Sequence, residues 1–322
     1  MIELLIVGYS GIVKKKALQG ISQIPELAKI DVVSKSRAQE ALQDEKITGK
    51  VFTDYDDAFE NSTAKVAYVS TVNSLHAPLA KKALRSGMHV IVDKPSFLTE
   101  YETIELTNLA KEKNLCLAEA TIYADHPQII AAKDEYAKTN SSVKKISSIF
   151  SFPPFPDRTA YKYDKQLGGG AILDIGPYAL TPGRVFFGTQ PISIDARISR
   201  VDAETGIDMA FSMMATYPDD KIIVGHFGFD SAYKSHMTLI GEKVTIDIPV
   251  PFSPPSSLQN ELVVNAENNW KTIKCEAGDN FTLYFQRVFK DILNNDYIKH
   301  IDLLLEDFNA LKMLKDSIIK YD

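Results

Sequence analysis

Two short segments of this sequence carry side chains that can handle a proton. One is an apolar run that ends in Asp93-Lys94-Pro95, and the other is the segment 168–178, in which three glycines precede Asp174 and Tyr178. Asp174 and Tyr178 are four residues apart, so in a helix they would lie on one face, one turn apart. A carboxylate, a phenol and an ammonium group at one site can transfer a proton and stabilise an oxyanion. The alternative for the second segment is a glycine loop followed by a core helix with a hydrogen-bonded Asp.

The elements that would position these residues begin with an alternation of apolar runs and amphipathic stretches over the first 120 residues. The predicted strands are 2–7, 30–33, 51–53, 66–71, 89–92 and 115–119. Short apolar strands that alternate with helices predict a parallel sheet covered by helices on both faces. Ligands of such sheets bind beyond the carboxyl ends of the strands. Lys94 is therefore aimed at that crevice, and Pro95 restricts its backbone to an extended conformation. The alternative for this segment is an Asp-Lys turn at the protein surface.

The pattern changes after about residue 140, where strands follow one another. They are predicted at 145–152, 192–200, 207–217, 221–229, 236–248, 261–266 and 270–276, and helices at 281–293 and 300–320 close the chain. This order predicts an open, mostly antiparallel sheet with helices on one side. We therefore expect an α/β protein with an N-terminal Rossmann domain over 1–121. An α+β domain for substrate binding and oligomerisation would cover 122–322.

Composition excludes several classes of protein. The 322 residues carry a net charge of −6 and are 45% hydrophobic, so no basic surface for nucleic acid is expected. No apolar run approaches the roughly 20 residues that cross a bilayer, and the strand-like N-terminus lacks the features of a signal peptide. The histidines are scattered, and the two cysteines, Cys116 and Cys275, form no metal-ligand pattern. Cys116 lies in an apolar run and is expected to be a buried reduced thiol. The sequence predicts a cytoplasmic protein without metal, nucleic-acid or membrane partners.

A dinucleotide site is predicted where Gly8 and Gly11 follow the first strand and open a helix. Glycines let the backbone approach a pyrophosphate at a helix N-terminus, and Ser10 stands where the second glycine of that fingerprint would be. The second predicted strand ends in Ser34-Lys35-Ser36-Arg37 without an acid for the ribose, since Asp31 is at the wrong end. Two cations and two hydroxyls suit a 2′-phosphate, which favours NADP over NAD. The alternative is a solvated basic turn.

The two proton-handling segments resemble the signatures of the Gfo/Idh/MocA oxidoreductases. Asp93-Lys94-Pro95 is similar to their Glu-Lys-Pro, and 168–178 to their triple glycine followed by Asp, Gly and His or Tyr. The resemblance covers essentially the whole chain. The segment 152–158, and Tyr rather than His at 178, resemble the NADP-dependent sugar-nucleotide 3-ketoreductases. The same region also resembles dihydrodiol dehydrogenases and glucose-fructose or anhydrofructose reductases.

The resemblance implies a hydride transfer between nicotinamide and a sugar carbon. Tyr178 would donate the proton in reduction, Lys94 would stabilise the alkoxide, and Asp174 would orient Lys94 or a sugar hydroxyl. The resemblance, the segment with Gly8 and Gly11, and the residues at the strand ends together predict the cofactor-binding residues. These are Gly8, Tyr9, Ser10, Gly11, Ile12, Ser34, Lys35, Arg37, Ser70, Thr71, Asn73, His76, Asp93 and Lys94. Substrate contacts are predicted at Glu119, His126, Arg158, Tyr163 and Tyr233, and contacts with a nucleotide diphosphate at Arg158, Lys162 or Arg184. For His76 and His126, a structural role is the alternative.

The predicted function is therefore an NADP-dependent oxidoreductase acting on the carbonyl or hydroxyl of a sugar or sugar nucleotide, in the reductive direction. It would form a homodimer or homotetramer through the C-terminal sheet. One alternative is a dehydrogenase of free polyols, sugars or trans-dihydrodiols. Another is a non-catalytic NADP-binding regulatory protein, against which the presence of both Lys94 and Tyr178 argues.

Overall fold

The computed structural model describes residues 1–319. Lys320, the last residue of the predicted helix 300–320, lies outside them. The chain divides into two compact units, the first formed by Met1–Ile122 and Phe281–Leu305, the second by Tyr123–Asn280 and Glu306–Asp322. The boundary expected at residue 121 falls beside the first of these breaks. Residues 281–305, which we expected in the C-terminal domain, belong instead to the first unit.

Fourteen strands and nine α-helices are present in the described residues. The strands are β1 (Ile2–Val7), β2 (Leu27–Val33), β3 (Val51–Phe52), β4 (Val66–Val69), β5 (His89–Val92), β6 (Leu117–Glu119), β7 (Val143–Ser151), β8 (Ser193–Val201), β9 (Asp208–Tyr217), β10 (Lys221–Gly228), β11 (Lys234–Gly241), β12 (Val244–Pro249), β13 (Glu261–Ala266) and β14 (Asn269–Lys274). The α-helices are α1 (Leu18–Ile21), α2 (Ala38–Ala41), α3 (Tyr55–Asn61), α4 (His76–Arg85), α5 (Glu100–Glu112), α6 (Pro127–Lys138), α7 (Ala171–Pro182), α8 (Asn280–Leu293) and α9 (Ile298–Ile319). A π-helical turn, Val13–Ala17, precedes α1. None of the helices of residues 1–319 is long and apolar enough to cross a bilayer.

The first unit contains a six-stranded parallel sheet in the order β3-β2-β1-β4-β5-β6. This is the doubly wound Rossmann order, in which the direction of winding reverses between β1 and β4 and leaves a crevice at their carboxyl ends. Both faces are covered, because alternate residues of β1 enter different apolar clusters: Leu4 and Ile6 one, Leu5 and Val7 the other. The predicted parallel sheet is confirmed.

Helices from the end of the chain complete both of these clusters. Phe285 and Phe289 of α8 belong to the first cluster, and Ile301 and Leu304 of α9 belong to the second. Their apolar faces therefore have their buried partners in the parallel sheet, which explains why residues 281–305 join the first unit. Buried Cys116 lies in the first cluster, as expected for a small apolar side chain.

The second unit contains an eight-stranded sheet in the order β14-β13-β12-β11-β7-β10-β9-β8. Among the described strands of this sheet, only β7 and β10 pair in parallel, so the predicted mostly antiparallel sheet is confirmed. One face packs against α6, α7 and the later part of α9 in a single apolar cluster. At strand positions outside this cluster, the apolar side chains of Ile149, Met214, Val224 and Val263 are exposed. The strand predicted over 236–248 is a hairpin of β11 and β12, and α6 was not predicted.

Candidate active site

The end of β1 is held between its two neighbouring strands by Gly8. Its N–H donates to Val33 O at 2.9 Å, and its φ of +107° is one that other residues rarely adopt. A Cβ at Gly8 would lie 2.2 Å from Ser70 O, so only glycine fits. A Cβ at Gly11, in contrast, would meet no atom of residues 1–319 within 4 Å. Packing within the chain therefore explains the glycine at position 8 but not the one at position 11.

Ser10, which replaces the second glycine of the fingerprint, is part of a hydrogen-bonded chain. Its Oγ lies 2.9 Å from Ser70 Oγ, and Ser70 Oγ donates to Asp93 Oδ2 at 2.5 Å. Tyr68 donates its hydroxyl to the other Asp93 oxygen at 2.6 Å. Burial and the nearby Asp93 carboxylate raise the pKa of Tyr68 well above its usual value, so it remains a donor. Asp93 thus ties the Ser10 loop to the backbone that carries Lys94.

The turn after Lys94 is held by His76 and Glu119. The Lys94–Pro95 peptide bond is cis, and His76 Nδ1 lies 2.9 Å from Pro95 O. Burial lowers the pKa of the fully enclosed His76, which favours the neutral ring. Glu119 Oε2 accepts a hydrogen bond from the Ser96 N–H at 2.7 Å. Both residues therefore bond to the backbone of this turn, and their contacts with cofactor and substrate stay predictions.

The turn after β2 carries the residues predicted to bind a 2′-phosphate. Ser34 is buried, and its Oγ accepts the Arg37 N–H at 3.1 Å, which shapes the turn. The exposed Lys35 lies 3.8 Å from Asp54. Asp31 is fully buried and accepts hydrogen bonds from Lys50 N–H and Ser62 Oγ, both at 2.7 Å. Its carboxylate is committed inside the unit, in keeping with its exclusion as a ribose ligand.

Four further residues of the predicted cofactor set lie close to the ends of β1 and β4. Tyr9 is buried and donates its hydroxyl to Asp44 at 2.8 Å, while Ile12 is exposed. Thr71 Oγ1 donates to Val72 O at 3.2 Å. Asn73 is buried at the start of a short 3₁₀ turn before α4. All four lie near the crevice side of the sheet, and only their cofactor contacts remain to be tested.

In the second unit, the triple glycine makes room for a close crossing of two chain segments. Gly170 has a φ of +107° and donates its N–H to Lys162 O at 3.0 Å. A Cβ at Gly169 would lie 2.6 Å from the same carbonyl oxygen. On the other side, Asp208 Oδ2 accepts the Ile172 N–H at 2.7 Å, in the first turn of α7. The start of α7 is therefore fixed from two directions.

Asp174 and Tyr178 lie one turn apart on α7, as the spacing predicts. The helix continues through Pro177, although a proline in a helix interior lacks an N–H, and Thr181 Oγ1 donates to the Pro177 carbonyl at 2.7 Å. Asp174 is buried and accepts a hydrogen bond from Lys162 Nζ. The helix thus presents a carboxylate and a phenol on one face.

An aromatic box surrounds the Tyr178 ring. The ring centroids of Phe150 and Phe252 are each 5.2 Å away, and that of Tyr123 is 6.2 Å away. Phe252 and Tyr123 are fully buried. Since closely packed rings restrict each other's rotation, the box fixes the direction of the Tyr178 hydroxyl.

His126 serves as the N-cap of α6. Its Nδ1 accepts the Gln128 N–H at 3.3 Å, and its Nε2 lies 3.2 Å from Gly278 O. The ring is fully buried, and burial lowers its pKa. These contacts fit the structural alternative for His126, and a substrate contact stays a prediction.

The other predicted substrate residues occupy different places in the second unit. Arg158 pairs with Asp202 and lies over the Tyr163 ring, 4.0 Å from its centroid. Buried Tyr163 donates its hydroxyl to Phe155 O at 3.1 Å. Tyr233 is exposed, in the turn between β10 and β11. The structure joins Arg158 to Tyr163, whereas Tyr233 lies in a separate turn.

Two family models match this chain. One, the oxidoreductase family with an NAD-binding Rossmann fold, matches residues 2–121, and the other, the GFO/IDH/MocA C-terminal domain, matches residues 141–247. The chain belongs to the Gfo/Idh/MocA family. The signature residues Lys94 and Tyr178 thus lie within matched domains of this oxidoreductase family.

Two enzymes and one crystal structure are similar to this chain. The chain is 28% identical over 255 residues, 78% of its length and 73% of the relative, to dTDP-3,4-didehydro-2,6-dideoxy-alpha-D-glucose 3-reductase of Streptomyces violaceoruber. It is 27% identical over 219 residues, 66% of its length and 64% of the relative, to trans-1,2-dihydrobenzene-1,2-diol dehydrogenase of Xenopus laevis. The crystal structure of KijD10, a 3-ketoreductase from Actinomadura kijaniata with NADP and TDP-benzene, matches 99% of this chain and 97% of its own at a TM-score of 0.86 and 21% identity.

Several residues that support the family's signature side chains were missed in the sequence. Tyr68 holds Asp93, Asp208 caps α7, and Phe252 packs on Tyr178. Lys162 was considered only for a diphosphate, but it pairs with Asp174. The triple glycine could have indicated this pair, because glycines allow the chain to turn sharply between Lys162 and the start of α7.

Proposed function

We propose that this chain reduces a keto group on a sugar nucleotide, with NADP(H) as its cofactor and Tyr178 as the proton donor. The observation that carries the proposal is the α7 arrangement, in which Asp174 and Tyr178 share a face and Tyr178 is held by an aromatic box. A fixed phenol can donate a proton to a developing alkoxide, and a nearby carboxylate can accept a hydrogen bond from a sugar hydroxyl. The sugar-nucleotide reductase of Streptomyces violaceoruber, at 28% identity, supports the substrate class.

The residues of the first unit fit NADP. Gly11 leaves open space at a helix start beside β1, which suits a pyrophosphate. With Asp31 buried elsewhere, the turn of Ser34, Lys35 and Arg37 offers hydroxyl and cationic groups to a 2′-phosphate. When bound, the nicotinamide supplies the hydride.

The protein's own contribution is charge and proton placement. Lys94, at the end of a strand whose following turn is held by His76 and Glu119, stabilises negative charge on the substrate oxygen. Tyr178 protonates that oxygen in the reductive direction. Asp174 orients a sugar hydroxyl. The phenol, with its high intrinsic pKa, suits donation better than abstraction of a proton.

A second candidate function is the oxidation of a free sugar, polyol or trans-dihydrodiol by the same residues. The dihydrodiol dehydrogenase of Xenopus laevis, at 27% identity, favours it. The two functions differ in whether the substrate carries a nucleotide. A regulatory protein that binds NADP without turnover is the remaining alternative.

We also infer a homodimer or homotetramer assembled through the C-terminal sheet, and a cytoplasmic location. Met214 and Val224 pair across β9 and β10 and are exposed. Ile149 is exposed on the neighbouring β7, and Val263 is exposed on β13, farther along the same sheet. Apolar side chains exposed on a sheet favour a subunit interface. Light scattering should give the mass of an oligomer, and Val224→Lys should lower it.

The test of the function is a substrate panel with NADPH or NADP as cofactor. Keto sugars should be offered with and without a nucleotide diphosphate, and trans-dihydrodiols with NADP, while cofactor absorbance is followed. Turnover confined to nucleotide-linked keto sugars is expected. Turnover of free sugars or dihydrodiols would favour the second function, and tight NADPH binding without any turnover would favour the regulatory protein.

A further inference from the structure

Lys162 forms a largely buried ion pair with the carboxylate beside the proposed proton donor. The Lys162 ammonium donates to Asp174 Oδ2, and the two side chains are 18% and 9% exposed. Lys162 belongs to a short 3₁₀ turn, Tyr161–Tyr163, which precedes the triple glycine. Its ammonium also lies over the Phe155 ring, 4.8 Å from the centroid. A cation held by a carboxylate and an aromatic face has little freedom to move.

The backbone and the side chain of Lys162 have separate tasks. Its carbonyl oxygen accepts the Gly170 N–H at 3.0 Å, a contact that any residue at this position could make. The N-terminus of α7 is held in addition by Asp208, through the Ile172 N–H. Two contacts that do not use the Lys162 ammonium therefore hold the start of α7. What the ammonium adds is control of Asp174.

We propose that Lys162 is a positioning residue that fixes the orientation and the negative charge of Asp174, one turn from Tyr178. The inference rests on the proposed function, in which Asp174 orients a sugar hydroxyl. A carboxylate without a fixed partner samples other rotamers, and small displacements of a positioning group cost large factors in rate. An arginine could replace Lys162, because it also donates to a carboxylate.

The first experiment compares Lys162→Met and Lys162→Arg with the parent chain and with Lys234→Met, a matched control at an exposed lysine of the same unit. Steady-state reduction of a nucleotide-linked keto sugar should show a kcat about 10- to 100-fold lower for Lys162→Met, with the KM for NADPH unchanged. Lys162→Arg should restore most of the rate. The acid limb of the pH profile should move to higher pH in Lys162→Met, because a carboxylate without its cation binds a proton more readily.

The second experiment places Lys162→Met in an Asp174→Asn background. If Lys162 acts through Asp174, the double variant loses no more than Asp174→Asn alone. A parent-like kcat for Lys162→Met, an additive loss in the double variant, or no recovery with Lys162→Arg would overturn the inference. Should Lys162→Met fail to fold, Lys162→Gln decides, and a parent-like kcat there overturns it as well. If the parent chain does not reduce the nucleotide-linked keto sugar, the proposed function itself has failed; if it does and the Lys162 variants keep its rate, the positioning role alone has failed.

Discussion

Asp208 Oδ2 accepts the backbone N–H of Ile172 at 2.7 Å, in the first turn of α7. Asp208 begins β9, so this contact joins the sheet of the second unit to the helix that carries Asp174 and Tyr178. Burial raises the pKa of the Asp208 carboxyl to about 6, although the hydrogen bond from Ile172 opposes the shift. The start of α7 is therefore held by a carboxyl group whose ionised form is disfavoured by burial.

This raised pKa predicts a specific pH dependence of stability. Between about pH 4 and pH 6 the folded chain holds a proton on Asp208 that the unfolded chain has released, so stability falls as pH rises through this window. The pKa of about 6 against an ordinary 3.8 corresponds to at most about 3 kcal/mol. Asp208→Asn keeps an acceptor for Ile172 and removes the charge. Its stability relative to the parent, from urea unfolding, should increase by up to about 3 kcal/mol from pH 4 to pH 7.

The stability of Asp208→Asn must be compared with that of the parent at each pH, because other groups also titrate between pH 4 and pH 7. Burial lowers the pKa of His76 below its ordinary 6.5, so this residue contributes a loss of stability as pH falls, the opposite sign. That contribution is common to both chains and cancels in their difference. Parallel curves for parent and Asp208→Asn would contradict the prediction.

Gly8→Ala and Gly11→Ala should separate folding from cofactor binding. The first places a Cβ 2.2 Å from Ser70 O at a φ of +107°, and should destabilise the chain by about 2 kcal/mol or more. The second places a Cβ that meets no atom of the described part of the chain within 4 Å, and it should change stability by less than about 0.5 kcal/mol. If the pyrophosphate passes close to this backbone, Gly11→Ala should still weaken NADPH binding in a fluorescence titration. Unchanged NADPH affinity in Gly11→Ala would argue against the proposed cofactor site.

The Rossmann half could be predicted closely because its signals are local. Thr99 and Glu102, for example, form the capping box that their spacing indicates. The unit to which residues 281–305 belong could not be predicted, because the pattern of an amphipathic helix does not specify which sheet its apolar face packs against. The signature residues Lys94 and Tyr178 could be recognised as parts of sequence motifs, but the residues that hold these motifs in place could not. Tyr68 and Asp208 hold the motifs from strands distant in sequence, and only the tertiary fold brings them there.

Lys35→Ala and Arg37→Ala should reduce the preference for NADPH over NADH. If their cations bind the 2′-phosphate, each lost charge-assisted hydrogen bond costs about 1.5–3 kcal/mol, or roughly 10- to 100-fold in kcat/KM for NADPH. The kcat/KM for NADH should stay the same, since NADH has no 2′-phosphate. Lys113→Ala, at an exposed lysine of the same unit, is the matched control. Equal losses with both cofactors, or tighter binding of NADH than NADPH by the parent, would refute this role.

Arg184→Met should act on stability and not on substrate affinity. Arg184 Nε and Nη2 each donate to a carboxylate oxygen of Asp307 at 2.7 Å, and both side chains are largely buried. Removing one partner of such a pair costs about 3–5 kcal/mol, which urea unfolding can measure. The KM for the sugar nucleotide should match that of the exposed control Arg200→Met. A selective rise in KM would instead support the diphosphate contact considered from the sequence.

The most direct test of the account is single-turnover oxidation of NADPH with a nucleotide-linked keto sugar by the parent, Lys94→Met and Tyr178→Phe. Tyr101→Phe and Lys113→Met, at exposed positions, serve as controls. Loss of the proton donor or of the oxyanion-stabilising cation should slow hydride transfer by about 100-fold or more. The affinity for NADPH should be unchanged in Tyr178→Phe. A parent-like rate of NADPH oxidation in both Lys94→Met and Tyr178→Phe would contradict the assignment of these residues as the catalytic pair.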